Sequence, residues 1–101
     1  MKKYHDYLIK ALKDPLEAAA YLNAAFSQGD EEMFLVALRN VAEAHGGMAK
    51  LSRNTKLNRA NLYKILSKRG NPEIQTLARI LDVLDLRLSI VVKHKPSLRA
   101  A

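Results

Sequence analysis

The chain has no cysteine, which excludes a disulfide framework and any thiolate metal site. Histidine is scarce as well. His5, His45 and His94 stand far apart without the short ligand spacings of a zinc motif, so neither a metal site nor any other cofactor is expected. No apolar run approaches the roughly 18 residues that span a bilayer. The opening MKKYHDYLIKALKD is broken by charges where a signal peptide has its apolar centre, so a cytoplasmic protein with no membrane attachment is expected. Internal repeats, low-complexity runs and long linkers are also missing. One further absence is local: residues 47–70 hold seven Lys or Arg and no acid at all.

What is present is ordinary for a folded domain. The 101 residues are 49% hydrophobic and 27% charged, enough for one modest core without metal or disulfide support. The net charge of +7 is unevenly spread: residues 1–46 carry five Lys/Arg and seven Asp/Glu, whereas residues 47–101 carry twelve and three. An acidic-leaning front and a strongly basic back point to an anionic partner for the back half.

The punctuation divides the chain into short helices. Tyr4, Leu8 and Leu12 recur every four residues beside Ile9 and predict a first amphipathic helix. Asp14-Pro15-Leu16-Glu17 is a start signal, with Asp14 as N-cap, Pro15 at the first helical position and Glu17 where a capping-box acid sits. The alanine-rich helix that follows is expected to pack through Leu16, Ala19, Ala20 and Leu22 and to end at Gly29. Asp30 then caps a helix with Phe34, Leu35, Leu38, Val41 and Ala42 along one face, closed by Gly46-Gly47. Further on, Asn71 and Pro72 open a helix whose stripe is Ile74, Leu77, Ala78, Leu81 and Leu84. Residues 87–93 alternate, with Leu88, Ile90 and Val92 against Arg87, Ser89 and Lys93, and predict a short strand. A lone strand leaves its ladder groups unpaired, so pairing with a second copy through Leu88, Ile90 and Val92 is expected; the alternative is an extended end packed on its own helices.

Between Gly47 and Gly70 the apolar positions do not continue as one helix. Met48 and Leu51 mark a first short helix, and Leu62, Ile65 and Leu66 mark a second that begins at Asn58 as N-cap. Two short helices joined by a few residues form a helix-turn-helix, the unit that places its second helix in the DNA major groove.

The run GMAKLSRNTKLNRANLYKILSKRGNP, followed by TLARILDVLDL, resembles the small prophage and addiction-module antidote proteins, HigA-like antitoxins with a phage-repressor (Xre/Cro-type) helix-turn-helix. The upstream DPLEAAAYLNAAFSQGD and FLVALRNVAEAHGG are similar to that family's opening segments, so the likeness covers roughly residues 7–92. One departure stands out: Lys56 aligns with the turn position usually held by a left-handed glycine, at a cost of about 1 kcal/mol of backbone strain. Asn54 is the better left-handed residue, so the turn register stays open by one or two positions. Ser52 takes the place usually given to alanine, where the two helices touch, and is small enough for it.

The resemblance implies an all-α, phage-repressor-like helix-turn-helix bundle of five to six helices with a short C-terminal β-strand. Residues 1–93 would form a single DNA-binding domain and residues 94–101 a flexible tail. It makes residues 58–68 the recognition helix, with Arg59, Ala60, Tyr63, Lys64, Ser67 and Lys68 exposed. Arg59 and Ala60, in the first turn, are implied to read base edges, a guanine and a thymine methyl respectively, with Asn61 and Lys64 as secondary readers. Lys50, Arg53, Lys56, Lys68 and Arg69 would contact phosphates. Asn58 caps the helix and can face a phosphate as well. Tyr63 either packs beneath the helix or touches a phosphate.

The implied function is that of a sequence-specific repressor on double-stranded DNA, binding an inverted-repeat operator as a homodimer. As the antitoxin of a type II module it would neutralise a small basic toxin and regulate its own operon. The alternative is a phage-type regulator with no toxin partner. The two front helices exceed what a minimal DNA-binding domain needs, and Asp14, Glu17, Asp30, Glu31 and Glu32 are candidates for a basic toxin if they do more than cap helices. An enzyme is not expected. The only acids of the basic half, Glu73, Asp82 and Asp85, fall in the helix after the turn, and its one histidine is in the tail.

Overall fold

A computed structural model describes residues 2–28, 30–67 and 69–94. They form six helices: α1 Lys2–Ala11, α2 Pro15–Ser27, α3 Glu31–Ala44, α4 Gly47–Thr55, α5 Arg59–Ile65 and α6 Ile74–Val83. Helix α3 is the hub, packing against α1, α2 and α4, while α4 in turn carries α5 and α6. Leu38, Val41, Leu62, Leu66 and Ile80 lie at the centre of one continuous core, each fully withdrawn from solvent. No helix among the described residues is long and apolar enough to cross a membrane.

The helix starts follow the capping chemistry in the sequence. Asp14 accepts the Leu16 N–H at 2.9 Å and Asp30 the Met33 N–H at 3.2 Å, each satisfying a donor that the first helical turn leaves orphaned. Glu17 does not close a capping box, because the Asp14 N–H it would take is given to the Ala11 carbonyl at 3.2 Å. Gly29, expected to end α2, lies outside the described residues. At the other end of α3, Gly46 turns the chain at φ 106°, a conformation open to glycine at little steric cost.

Two apolar stripes are rotated from expectation. In α2 the core-facing residues are Ala18, Leu22 and Ala25, and Leu16 is 80% exposed. A helix with this many alanines offers several nearly equivalent faces, so its pattern decides weakly. In α6 the stripe is Leu77, Ile80, Leu81 and Leu84, whereas Ile74 is 71% exposed. That helix also starts two residues later than Asn71-Pro72 signalled, with Glu73 as N-cap. Gly70 passes so close to the end of α5 that a Cβ there would overlap the Ile65 carbonyl oxygen. Residues 70–73 are thereby used as the crossing to α6. Similarly, Tyr4 keeps the α1 rhythm but stands in solvent, while Leu12, just past the helix end, is buried.

The expected strand at 87–93 is not formed: no strand exists among the described residues, and 86–92 runs without regular structure. Alternation prepares a segment for a sheet, but a strand exists only when a neighbour takes its ladder hydrogen bonds, and one chain supplies none. Leu88, Ile90 and Val92 are consequently exposed, Ile90 at 99%. The chain enters this segment through a Schellman turn, in which Asp85 adopts φ 61°, its N–H bonds Asp82 at 3.0 Å, and the Leu86 N–H returns to the Leu81 carbonyl at 2.8 Å. Of the expected tail, residues 95–101 lie outside the described residues.

Two backbone positions should respond with opposite sign to substitution. Gly70→Ala must push the chain off α5 and is expected to cost about 1–3 kcal/mol. Lys56→Gly removes left-handed strain at φ 62° and should stabilise by about 1 kcal/mol. Urea unfolding midpoints at constant m-value check both.

Candidate nucleic-acid interface

Helix α4 ends at Thr55, and the chain reverses within Lys56, Leu57 and Asn58 before α5 begins. Lys56 takes φ 62° and ψ 24°, the left-handed conformation, so the turn falls on the residue aligned with the usual glycine, while Asn54 remains helical. Three side chains hold the reversal. Ser52 Oγ donates to the Leu57 carbonyl at 2.6 Å. Thr55 Oγ1 donates to the Leu51 carbonyl at 2.6 Å and accepts the Leu57 N–H at 3.3 Å. Arg79, reaching over from α6, donates from Nη1 to the Thr55 carbonyl at 3.5 Å, a cation at the negative end of α4. Thr55 is a buried polar residue, and with both bonds made its hydroxyl is satisfied.

On the far side of the turn, Asn58 Oδ1 accepts the Asn61 N–H at 3.1 Å, fixing the start of α5. Leu62 and Leu66 then lock the helix to the core, with Leu57 and Ile65 half-buried at its flanks. This leaves Arg59, Ala60, Asn61 and Lys64 on the outward side, all exposed. Lys50 and Arg53 on α4, Lys56 in the turn, and Arg69 beyond α5 are exposed as well. Among the described residues none of these cations pairs with a carboxylate within 4 Å; the one ion pair found there joins His5 Nε2 to Glu43 Oε2 at 3.1 Å. Lys68 lies outside the described residues.

Tyr63 is neither beneath the helix nor free. The residue is 39% exposed, with the Arg39 guanidinium carbon over its ring 5.0 Å from the centroid, so α3 is tied to α5 by a cation–π contact. Arg39, Gly47, Met48, Glu43 and Tyr63 together line a groove of about 220 Å³ beside the recognition candidates.

The arrangement brings together a dense, uncompensated positive surface on two short helices whose relative orientation is fixed by hydrogen bonds. The described histidines are engaged otherwise: His5 with Glu43, and His45 Nε2 with the Leu12 carbonyl at 3.0 Å. No group of three His, Asp or Glu among the described residues is placed to hold a metal ion.

Sequence reasoning placed the turn and the exposed cations but missed Arg39, Arg79 and the double bond of Thr55. For Arg39 a signal existed: it is the only Lys or Arg between Lys13 and Lys50. Arg79 carries no such mark, since only folding brings it to the end of α4. On the acidic front, Asp14 and Asp30 act as caps, and Glu17, Glu31 and Glu32 are exposed.

Comparison with known proteins gives two likenesses. A family model described as "Probable addiction module antidote protein" matches residues 4–92. A protein of Haemophilus influenzae (strain Rd), described as uncharacterized, is 32% identical over 74 residues, covering 73% of this chain and 75% of its own length. No solved structure matches the chain.

Removing the Thr55 hydroxyl at constant shape tests the clasp on the turn. Thr55→Val leaves the Leu57 N–H without its acceptor and is expected to cost about 1–3 kcal/mol. Urea denaturation, with amide exchange at Leu57 as a local readout, checks it.

Proposed function

This chain belongs to the family of probable addiction module antidote proteins, and we propose that it acts by binding duplex DNA through α4 and α5 as well as by engaging a toxin. Membership makes it an antitoxin of a toxin–antitoxin module, a role that implies a toxin partner. The DNA reading is carried by one observation: α4, the turn, α5 and the residues just past it expose Lys50, Arg53, Lys56, Arg59, Lys64 and Arg69 with no ion-pair partner among the described residues. A positive surface left unneutralised repels itself unless a polyanion covers it, and release of that polyanion's counterions drives binding.

In this reading α5 enters the major groove by its first turn. Arg59 bonds guanine O6 and N7, Ala60 meets a thymine methyl, and Asn61 and Lys64 reach neighbouring base edges. Lys50, Arg53, Lys56, Lys68 and Arg69 grip phosphates and set register without reading sequence. Asn58 has its Oδ1 committed to the cap, which leaves its amide group to face the backbone of the duplex.

A second copy completes the site. The exposed, alternating segment that carries Leu88, Ile90 and Val92 is prepared to gain a partner strand, and the homodimer then presents two copies of α5. Half-site centres about 10 base pairs apart in an inverted repeat follow from that symmetry. Occupying such an operator in the cytoplasm represses the chain's own operon. The acidic front, with Glu17, Glu31 and Glu32 exposed on α2 and α3, is offered to a basic toxin. No enzymatic step is part of this mechanism.

Arg59→Ala is expected to cost about 1–3 kcal/mol on the operator and to relax preference at one base pair per half-site. Lys56→Ala should weaken operator and random DNA alike and flatten the salt dependence. Equal losses on both DNAs for Arg59→Ala would show that it does not read a base. For the toxin, the chain should co-purify with the product of an adjacent reading frame, and charge reversal at Glu31 and Glu32 should release it. Retained DNA binding with no bound neighbour would leave a regulator without a toxin.

A further inference from the structure

We propose that Arg39 supplies a DNA-phosphate contact from outside the α4–α5 pair, with the Tyr63 ring holding its guanidinium in place. This rests on the duplex-binding reading above and adds to it an element from α3.

The first ground is the residue's isolation. From Asp14 to Ala49 the chain carries six acids, and Arg39 is its one Lys or Arg. The fold brings that single cation to α5 rather than to the acids around it. Glu43, one helical turn on and the natural i,i+4 neutraliser of Arg39, has its carboxylate oxygen 3.1 Å from His5 Nε2 instead. Among the described residues Arg39 makes no ion pair.

The second ground is the geometry of the guanidinium. Its carbon lies over the Tyr63 ring, 5.0 Å from the centroid, a contact that restrains the end of the side chain beside α5. None of its five N–H donors is taken up by an ion pair among the described residues, so they remain for phosphate oxygens while the ring restrains the side chain. Restraint matters because a free arginine gives up its rotamer freedom when a phosphate fixes it. Tyr63 stands four residues beyond Arg59, on the same side of α5. A phosphate beside the Arg59 base contact is thus within the neighbourhood that Arg39 serves, at the edge of the groove lined by Arg39, Glu43, Gly47, Met48 and Tyr63, whose one carboxylate, Glu43, is paired with His5. Tyr63 is then a positioning residue, and Arg39 the group that touches DNA.

The test measures affinity of the full chain for a short random-sequence duplex across a salt series, with thermal melting of each variant alongside. Arg39→Gln is expected to lower the steepness of log K against log salt by about one, as loss of one phosphate contact does. Tyr63→Phe, which keeps the ring, should bind as the parent does. Tyr63→Leu should lose affinity, and Arg39→Gln added to it should cost little more. If Arg39→Gln fails to fold, Arg39→Met keeps an unbranched stem on the ring and serves in its place. An unchanged salt slope and affinity with a lowered melting temperature would overturn the proposal, leaving Arg39 as a tether of α5 and the duplex reading intact. Absence of salt-dependent duplex binding by the parent chain would overturn both.

Discussion

Between α4 and α5 the chain reverses on one residue, Lys56, at φ 62° and ψ 24°, and everything that α5 presents depends on that reversal. A β-carbon-bearing residue in this conformation carries roughly 1–2 kcal/mol of strain, which local bonds must offset. Ser52 and Thr55 supply them by binding the Leu57 carbonyl and N–H from the preceding turn of α4. Arg79 adds a third restraint from α6. The angle between the helices is thus set by bonds to backbone atoms, and a lysine occupies the apex where its charge projects outward.

The remainder of the fold places the exposed acids Glu17, Glu31 and Glu32 on α2 and α3, and the cations Lys50, Arg53, Arg59 and Lys64 on α4 and α5. Helix α3, which carries the exposed acids Glu31 and Glu32 in its first turn, packs against α1, α2 and α4, with one core running through all of them. Cross-ties are few and local: Asn40 Nδ2 donates to the Tyr21 hydroxyl at 2.9 Å, and Phe26 meets Phe34 edge-on at 5.3 Å. Such a layout lets one small domain face two partners at once.

Much of the basic half was readable in the sequence because its signals are local. Asn58 as cap and Leu62 and Leu66 as the inward side of α5 each depend on a few neighbouring residues, and each is found where the pattern put it; the turn, whose register the resemblance left open between Asn54 and Lys56, falls on Lys56. What failed depends on distant parts of the chain. The inward faces of α2 and α6 could not be chosen among overlapping stripes without knowing which helices they meet. Helix α6 starts two residues past the Asn71-Pro72 signal, at the Glu73 cap, and residues 87–93 lack a strand because the single chain has no second one to pair with. Arg39 and Arg79 gained their roles only when folding carried them to Tyr63 and Thr55.

The central claim is that the turn and α5 form the face that meets duplex DNA. Amide chemical shifts of the isotope-labelled chain, followed as duplex DNA from upstream of its own reading frame is added, test it most directly. The account predicts shifts concentrated at Lys50, Arg53 and residues 56–64, with Tyr63 among them and the exposed side of α2 unmoved. Shifts confined to α2 and the start of α3, or none at saturating duplex, would contradict it.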